Sequence, residues 1–203
     1  MADTLPANLI LTMKPARMGD FFLLLQQGFD VPVLVGCTLE NLLELQWQLA
    51  ADYVTKRIAT IFLDGRPIDD LATAIIRENS VVALSGAMPG LVGATMRRDG
   101  FYANLRRNIT YREIIPDTPK RVARIHVKIF NILLPELGPD FLRRGIILGI
   151  TELAYFMRNK TAAFLQDCTA AVLNGVVVAP AQLCEKMPLS GSETVYLHVI
   201  TSR

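Results

Sequence analysis

Leu63-Asp64-Gly65-Arg66-Pro67-Ile68 comes back 110 residues later as Leu173-Asn174-Gly175-Val176-Val177-Val178. Each stretch is an apolar strand end, a two-residue turn and a returning strand, since Asp-Gly and Asn-Gly tolerate the positive φ that a tight hairpin needs. Val33-Leu34-Val35-Gly36-Cys37-Thr38 is echoed by Ile146-Ile147-Leu148-Gly149-Ile150-Thr151 at an offset of 113. Val81-Val82-Ala83-Leu84 is echoed by Thr194-Val195-Tyr196-Leu197, again at 113. One such match would mean little, but three at nearly the same offset indicate an internal duplication.

The elements of each half follow from their chemistry. Residues 9–13 and 21–26 are short apolar runs of strand length, with turn chemistry at Lys14-Pro15 and Gly19-Asp20 between them. Residues 29–35 continue as strand, Pro32 marking an edge or a bulge. Thr38 offers a capping hydroxyl to a helix on which Leu39, Leu42, Leu43, Ala50, Tyr53 and Val54 recur at helical spacing. Strands over 60–63 and 80–85 flank an irregular crossing at 71–76. The second half repeats the plan with strands over 124–132 and 146–150. Thr151 then caps a helix carrying Leu153, Phe156, Met157 and Phe164, followed by a hairpin over 171–178 and a closing strand over 194–200.

Residues 61–86 run Ile61-Phe62-Leu63-Asp64-Gly65-Arg66-Pro67-Ile68-Asp69-Asp70-Leu71, then Arg77-Glu78-Asn79-Ser80 into Val81-Val82-Ala83-Leu84. This resembles the C-terminal half of ubiquitin-like β-grasp domains. Val172-Leu173-Asn174-Gly175-Val176-Val177 is similar to the matching hairpin of the small sulfur-carrier proteins of thiamine and molybdopterin synthesis, which share that fold. As a pattern the resemblance covers most of residues 5–88 and 122–201. It implies an α+β chain of two β-grasp (ubiquitin-like roll) domains in tandem, each a mixed sheet wrapped on one helix. The domains would be residues 1–88 and 122–203, joined by a connector of residues 89–121. It also implies that the first and last strands of each domain are neighbours. The carriers act through a terminal Gly-Gly, whereas this sequence ends His198-Val199-Ile200-Thr201-Ser202-Arg203, so no carrier activity is taken over.

Composition narrows the class of protein. Of 203 residues, 51% are hydrophobic and 20% charged, which excludes long disorder. Mean hydropathy is +0.33, yet no window approaches the ~18 uninterrupted apolar residues of a membrane span. The opening Met-Ala-Asp-Thr has neither the basic flank nor the apolar core of a signal peptide, and the expectation is a cytoplasmic protein. Cys37, Cys168 and Cys184 are widely spaced and unpaired in pattern, so they read as core or near-core thiols rather than as disulfides or a zinc site.

The net charge of +2 is too small to imply nucleic acid or membrane partners by itself, but the charge is unevenly spread. From Arg97 to Arg124 eight basic residues face three acids, which leaves the rest of the chain at −3. Arg97, Arg98, Arg106 and Arg107 alternate there with Phe101 and Tyr102, a composition suited to an anion, a nucleotide or single-stranded nucleic acid. The plainer reading is a connector that packs its apolar part and leaves its arginines solvated. Gly90-Leu91-Val92-Gly93 lacks the spacing of a phosphate or dinucleotide loop. His126 and Lys128 alternate with apolar neighbours, as do Tyr196 and His198, and a β-grasp sheet would bring all four to one exposed face for a partner. Two histidines are an incomplete ligand set for a metal, and none is assigned.

No nucleophile elbow or paired acid and base is legible, so the sequence assigns no catalytic residue and no cofactor. The leading expectation is a non-enzymatic binding or scaffold protein that uses its sheet faces and basic connector. Its partner would be another protein, a second copy or a small anion. The alternative is a ligand-binding enzyme with its site in an interdomain groove lined by connector arginines. Single-stranded nucleic-acid binding ranks third. Self-association is expected for whatever apolar surface stays uncovered.

Overall fold

A computed structural model of the chain describes residues 6–98, 100–106, 108–111, 119–186 and 193–202. The first half runs β1 (Ala7–Met13), a 3₁₀ stretch (Pro15–Phe21) continuing into α1 (Phe22–Gln27), β2 (Phe29–Val35), α2 (Leu39–Asn41) and a π-helical turn (Leu42–Gln46). It ends with α3 (Ala51–Arg57), β3 (Thr60–Leu63), β4 (Arg66–Pro67) and β5 (Val81–Ser85). The connector holds α4 (Gly90–Met96) and a 3₁₀ turn (Ala103–Arg106). The second half runs β6 (Arg121–Phe130), α5 (Leu133–Arg144), β7 (Ile146–Gly149), α6 (Ile150–Arg158) and α7 (Ala162–Gln166). It closes with β8 (Cys168–Leu173), β9 (Val176–Val177), α8 (Leu183–Lys186) and β10 (Thr194–Thr201). The order strand–helix–strand–helix–hairpin–strand therefore occurs twice, with a helix after each first strand that the sequence reading did not expect.

The chain forms two compact units, a central one of Leu25–Glu136 and a terminal one of Met1–Leu24 with Leu137–Arg203. Each is α+β with a mixed sheet. Strand order is β4-β3-β5-β6-β2 in the central unit and β7-β10-β1-β8-β9 in the terminal unit. First and last strands are neighbours, but crosswise between halves. β5, last of the first half, pairs in parallel with β6, first of the second half, at Val82↔Val127 and Leu84↔Ile129. β10, last of the second half, pairs in parallel with β1 at Leu9↔Leu197 and Leu11↔Val199. The expected boundaries, residues 1–88 and 122–203, do not enclose these pairings. The first strand of each half lies in the sheet of the unit that holds most of the other half.

A helix in place of a turn explains this. Residues 21–26, expected as a strand, are the end of the 3₁₀ stretch and α1. Phe21, Leu24 and Leu25 are all buried, the i, i+3, i+4 spacing of one helix face. In the second half α5 fills the same place and begins with Leu133-Leu134-Pro135, where a missing N–H costs nothing in the first turn. No hairpin therefore joins the first strand to the second. The exchanged strands are fully committed where they lie: Ile125, Val127 and Ile129 of β6 are at most 1% exposed. At about 1.5–3 kcal/mol each, their burial contributes roughly 5–9 kcal/mol, as much as the net stability of a small domain.

Other elements follow the sequence more closely. Thr38 caps α2, its Oγ1 accepting from the Asn41 N–H at 3.2 Å. The helix expected to run on to Val54 instead widens at residues 42–46 and stops, because the Gln46 side chain turns to Leu34 of β2 and bonds its N–H at 2.8 Å and its carbonyl at 3.0 Å. Thr151 lies inside α6 rather than capping it. Phe164 sits on a separate helix capped by Thr161, where it packs with Phe21 and Phe156 at ring distances of 5.6 and 6.2 Å. Both Asp64-Gly65 and Asn174-Gly175 adopt positive φ at their two turn residues, as the hairpin reading requires.

Gly28 and Gly145 stand just before β2 and β7 at φ +123° and +102°. His126 and Lys128 cover the first of them, and Tyr196 and His198 the second, so closely that a Cβ would fall 2.1 Å from His126 Nε2 or 2.6 Å from His198 Cε1. Gly28→Ala is expected to cost about 1–3 kcal/mol through backbone strain alone. Thermal unfolding should show a Tm lower by several degrees; an unchanged Tm would contradict this reading.

Candidate functional site

The basic connector folds against the end of α3 within the central unit. Arg98 makes the junction twice, its N–H donating to the Ala59 carbonyl at 2.8 Å and its Nη2 to the Val54 carbonyl at 2.8 Å. The side-chain bond satisfies a carbonyl that the last turn of a helix leaves open. Arg106 then fixes the connector from inside. Its side chain is 1% exposed, with Nη1 and Nη2 forking onto the Asp69 carboxylate at 2.9 and 2.5 Å. Nε donates to the Thr95 carbonyl and Nη1 to Thr110 Oγ1, at 2.8 and 2.9 Å. The planar fork of arginine suits this bidentate pairing.

Between α3 and the connector lies a cleft of about 520 Å³, inside the ~300–1,000 Å³ range of small-ligand sites. Thr55, Lys56, Ile58 and Ala59 form one wall; Arg97, Arg98, Phe101 and Tyr102 form the other with Ala94 and Gly100. Arg97 is exposed, and among the described residues its guanidinium has no partner. Lys56 meets Asp52 at 3.4 Å, both side chains about 70% exposed, an ion pair too open to neutralise it. No described lining residue is acidic; Asp99, between Arg98 and Gly100 in sequence, lies outside the described residues. Phe101 is 90% exposed and stands edge-on to Tyr102 at 5.1 Å.

Four of the residues singled out from sequence, Arg97, Arg98, Phe101 and Tyr102, thus share this cleft. Arg106 belongs behind it as a structural clamp rather than to a binding surface. Arg107 lies outside the described residues. The four residues expected on one shared face are divided between the two units. β6 has β2 and β5 as neighbours, and β10 has β1 and β7, so His126 and Lys128 stand in one unit and Tyr196 and His198 in the other. His126 Nδ1 lies 2.8 Å from Asp30 Oδ1, while His198 Nδ1 lies 3.4 Å from the Arg143 carbonyl with its ring edge-on to Tyr196. Each histidine covers a glycine. The cleft itself lies within one unit rather than in a groove between domains.

Sequence reasoning missed Lys56, Thr55 and Asp69. Lys56 falls on the polar side of α3 and Asp69 beside Asp70, where each reads as an ordinary solvated charge; only the tertiary fold gives them neighbours. α3 is anchored by Glu136, whose carboxylate takes bonds from Arg57 and, at 2.7 Å, from the Tyr53 hydroxyl. Arg57 first and Tyr53 second hold the Glu136 carboxyl below its usual range, while burial and Glu136 raise the Tyr53 phenol. A second hollow of about 270 Å³, lined by Phe62, Ala83, Met88 and Phe130 among others, has no charged wall.

Cys37 and Cys168 are buried free thiols, each pushed up in pKa chiefly by burial, which disfavours the reactive thiolate. Among the described residues there is no group of three or more metal-ligating side chains. Among the described residues, too, no helix is long and apolar enough to cross a membrane. In comparisons with protein-family models, curated proteins and solved structures, nothing matches this chain. The geometry of the cleft alone carries the functional reading.

Arg106 and Arg97 should behave oppositely on substitution. Arg106→Ala leaves Asp69 and two connector carbonyls without their donor and is expected to cost about 2–4 kcal/mol, below the fully buried figure because Asp69 is one-third exposed. Arg97→Ala should change stability by less than about 0.5 kcal/mol. Denaturant unfolding of the two variants checks both, and equal losses would contradict the division of roles.

Proposed function

We propose that this chain is a non-enzymatic binding protein of the cytoplasm, built from a duplicated ubiquitin-like β-grasp plan whose halves have exchanged their first strands. It works by holding a small anionic ligand in the cleft between α3 and the connector. The observation that carries this reading is the lining: Lys56 and Arg97 share one cleft of ligand size with two aromatic rings, and Arg98 holds one of its walls in place. Cationic side chains repel one another when gathered, and a bound anion relieves that cost. The β-grasp ancestry is supported by the doubled element order and by the parallel pairing of last with first strands. The buried free thiols agree with a reducing compartment.

The reading favours a small ligand over single-stranded nucleic acid. Three of the eight basic residues from Arg97 to Arg124 are already engaged. Arg106 is spent on Asp69, Arg121 pairs with Glu78, and Arg98 binds the end of α3. A polynucleotide backbone needs a continued track of cations.

A ligand that binds the folded chain alone raises its Tm by mass action, by about 2.7 kcal/mol of stability at one hundred times Kd. Small phosphates and carboxylates should raise the Tm where neutral compounds of similar size do not. Arg97→Glu should abolish that rise without lowering the basal Tm. Retention of the full rise in Arg97→Glu would remove the cleft from consideration.

A further inference from the structure

Phe101 is the feature that a plain anion site does not explain. It is 90% exposed, the most exposed of the described large apolar side chains, and it lines the cleft that gathers Lys56, Arg97 and Arg98. A phenylalanine at the surface gains nothing from water and contributes no charge to hold an anion. Its ring is nevertheless held in a set orientation, perpendicular to Tyr102 at 5.1 Å, a favoured arrangement for two aromatic quadrupoles. The exposed ring surface of Phe101 stays open in a cleft whose lining also holds Arg97. Planar heteroaromatic groups stack on such faces, and the strength of that contact tolerates many ring types.

Resting on the anion-site reading above, we infer that the ligand class is a nucleotide: an anionic phosphate for Lys56 and Arg97, and a base stacked on Phe101. The two halves of the cleft match the two halves of such a molecule. Arg97 and Lys56 come from different elements, the connector and α3, so a phosphate between them joins both walls. A guanidinium presents a planar fork to phosphate oxygens, while an ammonium acts as a point charge. The volume of about 520 Å³ holds a mononucleotide with its base at the open rim.

Isothermal titration of the full chain separates the parts. The probes are adenosine monophosphate, inorganic phosphate, adenosine and a single-stranded oligonucleotide. Adenosine monophosphate is expected to bind at least tenfold more tightly than either phosphate or adenosine. Phe101→Ala should weaken it about 5- to 100-fold while leaving phosphate binding unchanged. Arg97→Ala should weaken both. Phosphate binding as tightly as the nucleotide would overturn the inference and leave the anion site standing. Binding of no probe would overturn both. An affinity that rises with oligonucleotide length would assign the cleft to nucleic acid and overturn the inference.

Discussion

The parallel pairing of β5 with β6 and of β1 with β10 is the constraint on which the rest of the chain depends. A parallel strand cannot be reached through a tight turn; the chain must cross over first. Here the crossing partner comes from the other half, so neither half holds a complete central pair of its own. The exchanged strands carry buried apolar rows, Leu9, Leu11 and Met13 on β1 and Ile125, Val127 and Ile129 on β6. Losing either row would remove an amount of burial comparable to the stability of a whole small domain. Folding of one half is therefore tied to folding of the other.

The exchange also bears on the cleft. β6 follows the connector directly, so the connector must run from the end of β5 to a strand in that same unit. Arg106 and Arg98 hold it along the way, to Asp69 and to the end of α3. The two arginines that look least like ligand contacts thus give Arg97, Phe101 and Tyr102 a fixed place. The two units are also not copies in detail. β6 lies between β5 and β2, whereas β1 lies between β10 and β8, so the donated strand takes a different slot in each sheet.

Much of this was legible in the residues. The Asp64-Gly65 and Asn174-Gly175 turns, the Thr38 cap and most strands lie where local chemistry puts them, and the three matched patches fall on corresponding elements of the two halves. What could not be read is which strand pairs with which, because β1 and β6 have the same alternation and fit either sheet. The helix at 21–27 was hidden by a short apolar run that satisfies helix and strand spacing alike. Pro135 and Pro139 obscured α5 in the same way. At the site, the cluster of arginines and aromatics in the connector gave four lining residues. Their burial was not legible: Arg97 and Arg106 are similar in sequence context, yet one faces the cleft and the other is enclosed against Asp69.

The exchange of strands is tested most directly by cutting the folded chain once in its connector. A specific protease site placed between Arg112 and Thr118 gives two pieces, each holding strands of both units. On gel filtration in native buffer the cleaved protein should elute as one species of the intact size, and the pieces should part only in denaturant. Two folded pieces that separate in native buffer would show that each half keeps its own first strand, and would contradict the account.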